Sequence, residues 1–172
     1  MANTKVQILG QKEIDARIRR MAYEIYETHY QESQVFLIGI DQRGGYLARQ
    51  LTGILKDISP LEIILVPAKL DRAQGPHAIG IELEGIEAEE FRGKPVVVVD
   101  DVLYTGTTLL NVVAILLQFA PGKIRTAVLI DRGHRNMPVS ADFVGLELAT
   151  TIQQHVSVEM KEDESSAEAF LL

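Results

Sequence analysis

The chain contains no cysteine and no tryptophan, and only 6% of its residues are aromatic. Without cysteine it can form no disulfide, no thiolate metal site and no cysteine nucleophile, which is typical of proteins in a reducing cytoplasm. No apolar run approaches the length of a bilayer span, so we do not expect a membrane protein. No segment resembles a cleavable signal peptide. These absences predict a cytoplasmic protein.

Positive charge is in the minority, because 17 Lys and Arg face 24 Asp and Glu and leave a formal net charge of −7. This balance argues against indiscriminate binding of nucleic acid, although one basic face could still bind a polyanion. The 172 residues, 47% of them hydrophobic, suffice for one domain with its own core. We find no internal repeat and no second boundary, so residues 1–172 are treated as a single domain.

Short apolar runs alternate with amphipathic helical patterns along the chain. Apolar spacings of three and four predict a helix over 11–30. The remaining predicted elements are strands at 35–40, 61–66, 95–99 and 125–130 and helices at 46–56 and 108–119. Fully apolar strands that alternate with helices predict an α/β fold with a parallel sheet covered on both faces. The apolar end at 169–172 could dock on the body or on another subunit, or it could fray.

The most informative stretch is 96–109, in which a buried strand is followed by Asp100 and Asp101 and then by the sequence Thr-Gly-Thr-Thr at 105–108. Two adjacent carboxylates at the carboxyl end of a strand can hold vicinal hydroxyls. Free N–H groups, hydroxyls and the helix dipole at the following helix start can receive a phosphate. The stretch therefore predicts a site for a ribose 5-phosphate, the alternative being an ordinary strand and helix cap.

No Walker loop and no dinucleotide-binding Gly-x-Gly-x-x-Gly motif is present. The glycine-rich segment that remains is 41–46, Asp-Gln-Arg-Gly-Gly-Tyr, between a predicted strand and a predicted helix. Read alone, its glycines are as consistent with a simple strand-to-helix turn as with an anion-binding loop.

As a block, 96–109 resembles the PRPP-binding signature of the type I phosphoribosyltransferases. The resemblance implies a Rossmann-like twisted parallel sheet flanked by helices, with a flexible flap and a small hood. It also implies that Asp100, Asp101 and Arg43 are the catalytic residues, the two aspartates lying at the ribose hydroxyls directly or through Mg²⁺. The residues that would hold the 5-phosphate are Tyr104, Thr105, Gly106, Thr107 and Thr108.

The same resemblance assigns the other loops of the site. Gln42, Arg43 and Gly44 would bind the diphosphate, and we expect a cis peptide bond between Gln42 and Arg43. Segment 68–93, which is long enough for a functional loop or a hairpin, would be the flap and carries Lys69, Arg72 and His77. The hood would come from 131–160, with a contribution from the N-terminus as a further expectation.

A second specific stretch, 128–145, contains Asp-Arg-Gly-His-Arg at 131–135, followed by Pro138 and by Ala-Asp at 141–142. Read alone it could be an exposed basic turn. It resembles the family of bifunctional pyrimidine operon regulators and uracil phosphoribosyltransferases, although the run at 66–72 departs from that family's usual flap sequence. The base-binding residues implied by the resemblance are Asp131, Arg132, Gln153 and Gln154.

The resemblance also favours uracil as the acceptor. Tyr104 stands where purine phosphoribosyltransferases usually have an acidic residue, and Asp131 stands where they tend to have a lysine. The expected function is Mg²⁺-dependent transfer from PRPP to uracil, giving UMP and diphosphate, with the Mg²⁺ carried by PRPP and no metal site built by the protein alone.

Two alternatives remain at this point. A purine phosphoribosyltransferase is one. The other is a nucleotide-sensing regulator that binds mRNA, for which the candidate contacts are Arg17, Arg19, Arg20, His134 and Arg135. The resemblance further implies a homodimer or a higher homo-oligomer.

Overall fold

The computed structural model describes residues 5–73, 75, 79–151 and 153–172. The helices in this part of the chain are α1 (Gln11–His29), α2 (Asp41–Ile58), α3 (Thr107–Leu117) and a short 3-10 helix (Ala88–Phe91). The strands are β1 (Val6–Leu9), β2 (Gln34–Ile40), β3 (Glu62–Asp71), β4 (Gly80–Leu83), β5 (Pro95–Leu103), β6 (Lys123–Asp131), β7 (Phe143–Glu147), β8 (Val156–Met160) and β9 (Ala167–Leu171).

The main sheet has six strands in the order β4-β3-β2-β5-β6-β7. Strands β3, β2, β5, β6 and β7 run parallel, and β4 is antiparallel to β3 at the edge. The predicted α/β fold is thus confirmed. The chain runs outward from β2 to β3 and later returns to place β5 on the other side of β2. In open α/β sheets, such a reversal opens a crevice at the carboxyl ends of the two strands concerned.

Helices cover both faces of this sheet, as the apolar strands predicted. Successive side chains of a strand point to opposite faces. Val35 and Leu37 of β2 therefore pack in the same core as α1 and α2, whereas Phe36 and Ile38 pack with α3 and with Phe91 of the 3-10 helix. The two buried layers hold the strand ends that surround the crevice in fixed positions.

A second, antiparallel sheet of three strands has the order β1-β9-β8. Strand β9 lies between the other two, with Leu171 opposite both Val6 and Val156. The apolar end of the chain therefore docks on the body, and the expectation of a frayed tail is wrong. Of this sheet, β8 lies within the predicted hood segment 131–160, whereas β9 lies beyond it.

Several strands are longer than the apolar pattern predicted. β3 continues past Val66 to Asp71 because β4 pairs with its second half, where Lys69 lies opposite Glu82. β5 continues past Val99 to Leu103 because β6 pairs with it as far as Asp131. The polar end of a strand is recognised only when its partner strand is known. For this reason the strands predicted from hydrophobicity alone end earlier than β3 and β5 do in the structure.

None of the helices in the described part of the chain is both long enough and apolar enough to cross a bilayer.

His29, at the end of α1, is fully buried and makes the pH dependence of stability testable. Its Nδ1 lies 2.8 Å from the carbonyl oxygen of Ile25 and its ring packs near Phe143. Burial lowers the pKa of His29, outweighing the hydrogen bond to Ile25, which raises it. The folded state therefore favours the neutral His29 ring. The stability that the neutral ring contributes is present above the unfolded pKa of about 6.5. It is lost as pH falls through the lowered folded pKa.

We expect the free energy of unfolding to fall on acidification from pH 7.5, and we expect a His29→Leu variant to lack part of that fall. Urea unfolding at a series of pH values measures both curves. His155→Asn, which changes an exposed histidine, is the matched control and should follow the wild type. Parallel curves for the wild type and His29→Leu would contradict the prediction.

Candidate active site

The crevice at the carboxyl ends of β2 and β5 contains most of the residues that are predicted to bind PRPP. One part is a cleft of about 400 Å³. It is lined by Ile40, Asp41, Gln42, Arg43, Arg72, Asp100, Asp101, Val102 and Thr108. A second part, of about 200 Å³, shares Asp100, Val102 and Thr108 with the first and extends along the loop 103–106. The predicted diphosphate and 5-phosphate segments therefore lie side by side, although they are more than sixty positions apart in the sequence.

Asp100 and Asp101 supply the negative charge of the crevice. Both lie within β5 rather than after it, and the backbone N–H of Asp101 donates to Oδ1 of Asp100 over 2.9 Å. Burial raises the pKa of Asp100 well above its ordinary value, and the charges of Asp101 and then Asp41 raise it further. Such a carboxylate pair is more stable beside a cation or beside hydroxyl groups that donate to it.

Arg43 is the cation nearest to this pair across the cleft. Its Nη1 lies 3.8 Å from Oδ2 of Asp101, and its side chain is 54% exposed. Arg43 belongs to the first turn of α2, where the leading backbone N–H groups have no partner within the helix. An exposed guanidinium beside free N–H groups and the positive end of a helix dipole is an arrangement that can bind a diphosphate.

The turn before α2 differs from the prediction in two respects. The described residues contain no cis peptide bond, so the one expected between Gln42 and Arg43 is not found, and the chain turns instead at Asp41, with a φ of 51°. The helix also begins at Asp41 rather than at Tyr46. Gly44 therefore lies inside the helix. This position requires a glycine, because a Cβ there would come within 2.5 Å of the carbonyl oxygen of Val99. Close approach of α2 to β5, rather than turn flexibility, accounts for this glycine.

The loop that leads into α3 has the form of an anion site. Gly106 is in the left-handed region, with a φ of 84°, and directly precedes the first helical residue, Thr107. The Thr105 hydroxyl lies 3.1 Å from that of Thr107. The first N–H groups of α3 are free of helical partners, and the hydroxyls of Thr105, Thr107 and Thr108 lie beside them. Apart from Tyr104, the loop offers only small neutral donors, as a phosphate site requires.

The back of this loop is held by the segment 132–139, which the sequence suggested for base or RNA binding instead. The N–H of Arg132 donates to Leu103 O over 3.0 Å, and those of Asn136 and Met137 donate to Thr105 O over 2.9 and 3.1 Å. Val139 lies so close to Gly106 that a Cβ there would meet its methyl group at 2.5 Å. Asn136, Met137 and Val139 were not predicted from the sequence, because no local signal marks a residue that supports a distant loop.

The predicted base-binding residues surround the carboxyl end of β6. Asp131, 6% exposed, accepts from Gly133 N–H over 2.9 Å and pairs with Arg135. Asp131, Arg132 and Arg135 share a pocket of about 310 Å³ with Gly133, Glu147, Leu148 and Ala149.

Arg132 is only 3% exposed, and its guanidinium donates to Thr150 and to backbone oxygens at 151 and 154. Gln153 is exposed, and the side chain of Gln154 accepts from the N–H of Thr151. A base-reading role for these four residues stays a prediction.

The predicted flap, 68–93, has two structurally different halves. Its first part is the β3–β4 hairpin, in which Lys69 pairs with Glu84 over 3.1 Å and Arg72 pairs with Asp41 over 2.9 Å at the cleft. His77 lies outside the described residues. The second part is anchored, because Phe91 is fully buried against Phe36. Arg72 brings the hairpin to the cleft, and a role of the hairpin as a flap stays a prediction.

The candidate RNA contacts do not all present free charge. Arg17 and Arg20 donate to the carbonyl oxygens of Val144 and Gly145 on β7, the edge strand of the main sheet. His134 bonds to the carbonyl oxygen of Thr150, and Arg135 pairs with Asp131. Arg19 is exposed beside a groove between α1 and α2.

Comparison with known proteins agrees with this geometry. Residues 6–163 match the family model described as the phosphoribosyl transferase domain. The chain is 35% identical to the bifunctional protein PyrR of Fusobacterium nucleatum, with 96% of each chain covered. It is 32% identical to the pyrimidine operon regulatory protein of Lactococcus lactis, with 93% of this chain and 92% of that protein covered. The hypoxanthine phosphoribosyltransferase of Trypanosoma cruzi has the same fold, with a TM-score of 0.76, 18% identity and 95% of each chain covered.

Proposed function

Because the chain belongs to the phosphoribosyltransferase family, we propose that it transfers the phosphoribosyl group of PRPP to uracil and releases diphosphate. The bond between ribose C1 and the diphosphate oxygen breaks, a bond between C1 and a ring nitrogen of uracil forms, and that nitrogen loses its proton. UMP and diphosphate are the products. The observation that carries the proposal is that a carboxylate pair and an anion-binding loop meet in one crevice.

Each part of PRPP has a group of residues suited to it. The N–H groups and hydroxyls of the loop 105–108 hold the 5-phosphate, and Asp100 and Asp101 hold the ribose hydroxyls. Arg43 and the free N–H groups of the first turn of α2 bind the diphosphate. The transition state at an anomeric carbon carries positive charge on the ribose, so these residues act by positioning and by charge stabilisation.

The carboxylates of the crevice fit a role beside Mg²⁺, which prefers oxygen ligands. The described residues contain no group of three or more His, Cys, Asp or Glu side chains placed to hold a metal by themselves. Asp100 and Asp101 would therefore share the ion with substrate oxygens and water. When bound, Mg²⁺ would neutralise part of the charge of the diphosphate.

Two residues support the proposal that the acceptor is uracil and not a purine. Tyr104 offers no carboxylate to a purine ring nitrogen, and Asp131 offers no cation to an exocyclic carbonyl. Relatives named for the pyrimidine operon point in the same direction. A purine acceptor is the alternative that a substrate panel must test.

The test is diphosphate release from PRPP and Mg²⁺ with uracil, orotate, hypoxanthine, guanine and xanthine, each assayed separately. We expect turnover with uracil alone. Turnover with a purine would overturn the reading of Tyr104 and Asp131 but not the reaction type. Failure with every base would overturn the catalytic proposal.

A second candidate is a nucleotide-sensing regulator that binds mRNA, which relatives named as operon regulators favour. Among the candidate contacts, Arg19 is exposed and does not donate to β7, as Arg17 and Arg20 do. A gel-shift assay with the leader transcript of the pyrimidine operon, with and without UMP, tests this role. Arg19→Gln should weaken binding, whereas the control Lys56→Gln, on α2, should not. Binding that does not weaken with salt would count against it.

A further inference from the structure

Arg132 is a buried cation with no acidic partner. Its side chain is 3% exposed, and its guanidinium carbon lies 3.8 Å from the centre of the Tyr104 ring. Its Nε donates to the hydroxyl of Thr150 over 3.2 Å, and its Nη2 donates to the carbonyl oxygens of Gln154 and Thr151. All of these oxygen acceptors are neutral.

Within the described part of the chain, no carboxylate oxygen lies within 4.0 Å of the Arg132 guanidinium nitrogens, and the residues outside that part include no Asp or Glu. The neighbouring Asp131 is paired with Arg135 instead. A buried charge without a counter-charge is costly, and hydrogen bonds to neutral oxygens offset only part of that cost. Without a ligand, the positive charge of the Arg132 guanidinium therefore has no negative charge beside it, and it would stabilise an anion bound nearby.

The guanidinium of Arg132 lies at the back of the loop 103–108, on the ring of Tyr104. Tyr104, whose ring the guanidinium of Arg132 covers, lines the crevice, and the N–H of Arg132 donates to Leu103 O. The loop itself contains no Lys, Arg or His, so its own donors are neutral. The buried guanidinium is thus the cation that stands directly behind this loop, where low polarity strengthens its field.

We propose that Arg132 is a positioning residue for the 5-phosphate of the substrate, whose negative charge balances the buried guanidinium. It acts through Tyr104, which it holds by a cation–π contact. This inference rests on the proposed function, because it takes a 5-phosphorylated ribose to be the ligand of the loop.

The same side chain links the phosphate loop to the segment 150–154, whose backbone it binds. His155, which follows that segment, meets the Tyr104 ring edge-on, with the ring centres 6.5 Å apart. Tyr104 is therefore held between Arg132 and His155. Loss of Arg132 should loosen this part of the site as well as remove its charge.

The test is isothermal titration of ribose 5-phosphate into the full chain and its variants, with melting temperature measured in parallel. Arg132→Gln keeps hydrogen-bond donors but removes the charge, and Arg132→Met is a second neutral variant that can still pack on Tyr104. Both should bind ribose 5-phosphate at least about tenfold more weakly. Arg132→Lys keeps the charge but loses the planar guanidinium, so it should bind ribose 5-phosphate more weakly than the wild type but clearly more tightly than either neutral variant. Arg125→Gln, at the opposite end of β6, is the matched control and should bind normally.

Kinetics separate this role from a merely structural one. The 5-phosphate is remote from the bond that breaks, so Arg132→Gln should raise KM for PRPP with little change in kcat. Equal affinity of the wild type and both neutral variants would overturn the inference, as would an equal loss in the Lys and Gln variants. If the wild type itself fails to bind ribose 5-phosphate, the proposed function falls at this site and the inference with it.

Discussion

Replacing both Asp100 and Asp101 by Asn should lower diphosphate release from PRPP and uracil by about 10²–10³-fold, the scale expected when groups that stabilise a transition state are removed. The amides keep the size of the side chains but lose the charge that would hold the ribose and Mg²⁺. Steady-state assays at saturating PRPP and Mg²⁺ measure the effect. Activity within threefold of the wild type would remove these residues from the catalytic role.

The single variant Asp100→Asn shows whether such a loss reflects unfolding. Burial and the charge of Asp101 hold the pKa of Asp100 above its ordinary value. A raised folded pKa means that Asp100 lowers stability at pH values above its unfolded pKa, and that this cost shrinks as pH falls through the folded pKa. Asp100→Asn should therefore melt at a higher temperature than the wild type at pH 7, by a margin that shrinks on acidification. A lower melting temperature at pH 7 would contradict this.

Gly44→Ala is expected to damage both the fold and the site. The added Cβ would lie 2.5 Å from the carbonyl oxygen of Val99 and 3.1 Å from Cα of Asp100, and neither backbone atom can move without shifting β5. Overpacking of this kind costs about 1–3 kcal/mol. Because the start of α2 would move away from β5, activity should fall by roughly 10²-fold.

Gly53→Ala is the matched control, since Gly53 also lies in α2 and nothing stands within 4 Å of its Cβ position. That change should stabilise the helix by up to about 1 kcal/mol and leave activity unchanged. Urea unfolding and the diphosphate assay on both variants test the pair. If Gly44→Ala behaves like Gly53→Ala, the close approach of α2 to β5 does not constrain the site.

The sequence by itself predicted the class of fold and the half of the crevice formed by 100–108. Apolar runs such as 96–99 favoured strands buried on both faces, and their alternation with helices favoured a parallel sheet. In the same way, Thr-Gly-Thr-Thr after a strand predicted a helix start suited to an anion, because both signals lie within a few consecutive residues.

The tertiary structure decided what depends on distant partners. The need for glycine at 44 follows from its close approach to Val99, and β9 near the end of the chain pairs with β1 near its start. Arg17 was a candidate for RNA, yet it donates to Gly145 on an edge strand. Arg132 is a candidate for the base, and the structure adds that it is buried and stacks on Tyr104. Residue type predicts what a side chain can bind, but burial and neighbours, which no local pattern records, decide what it does bind.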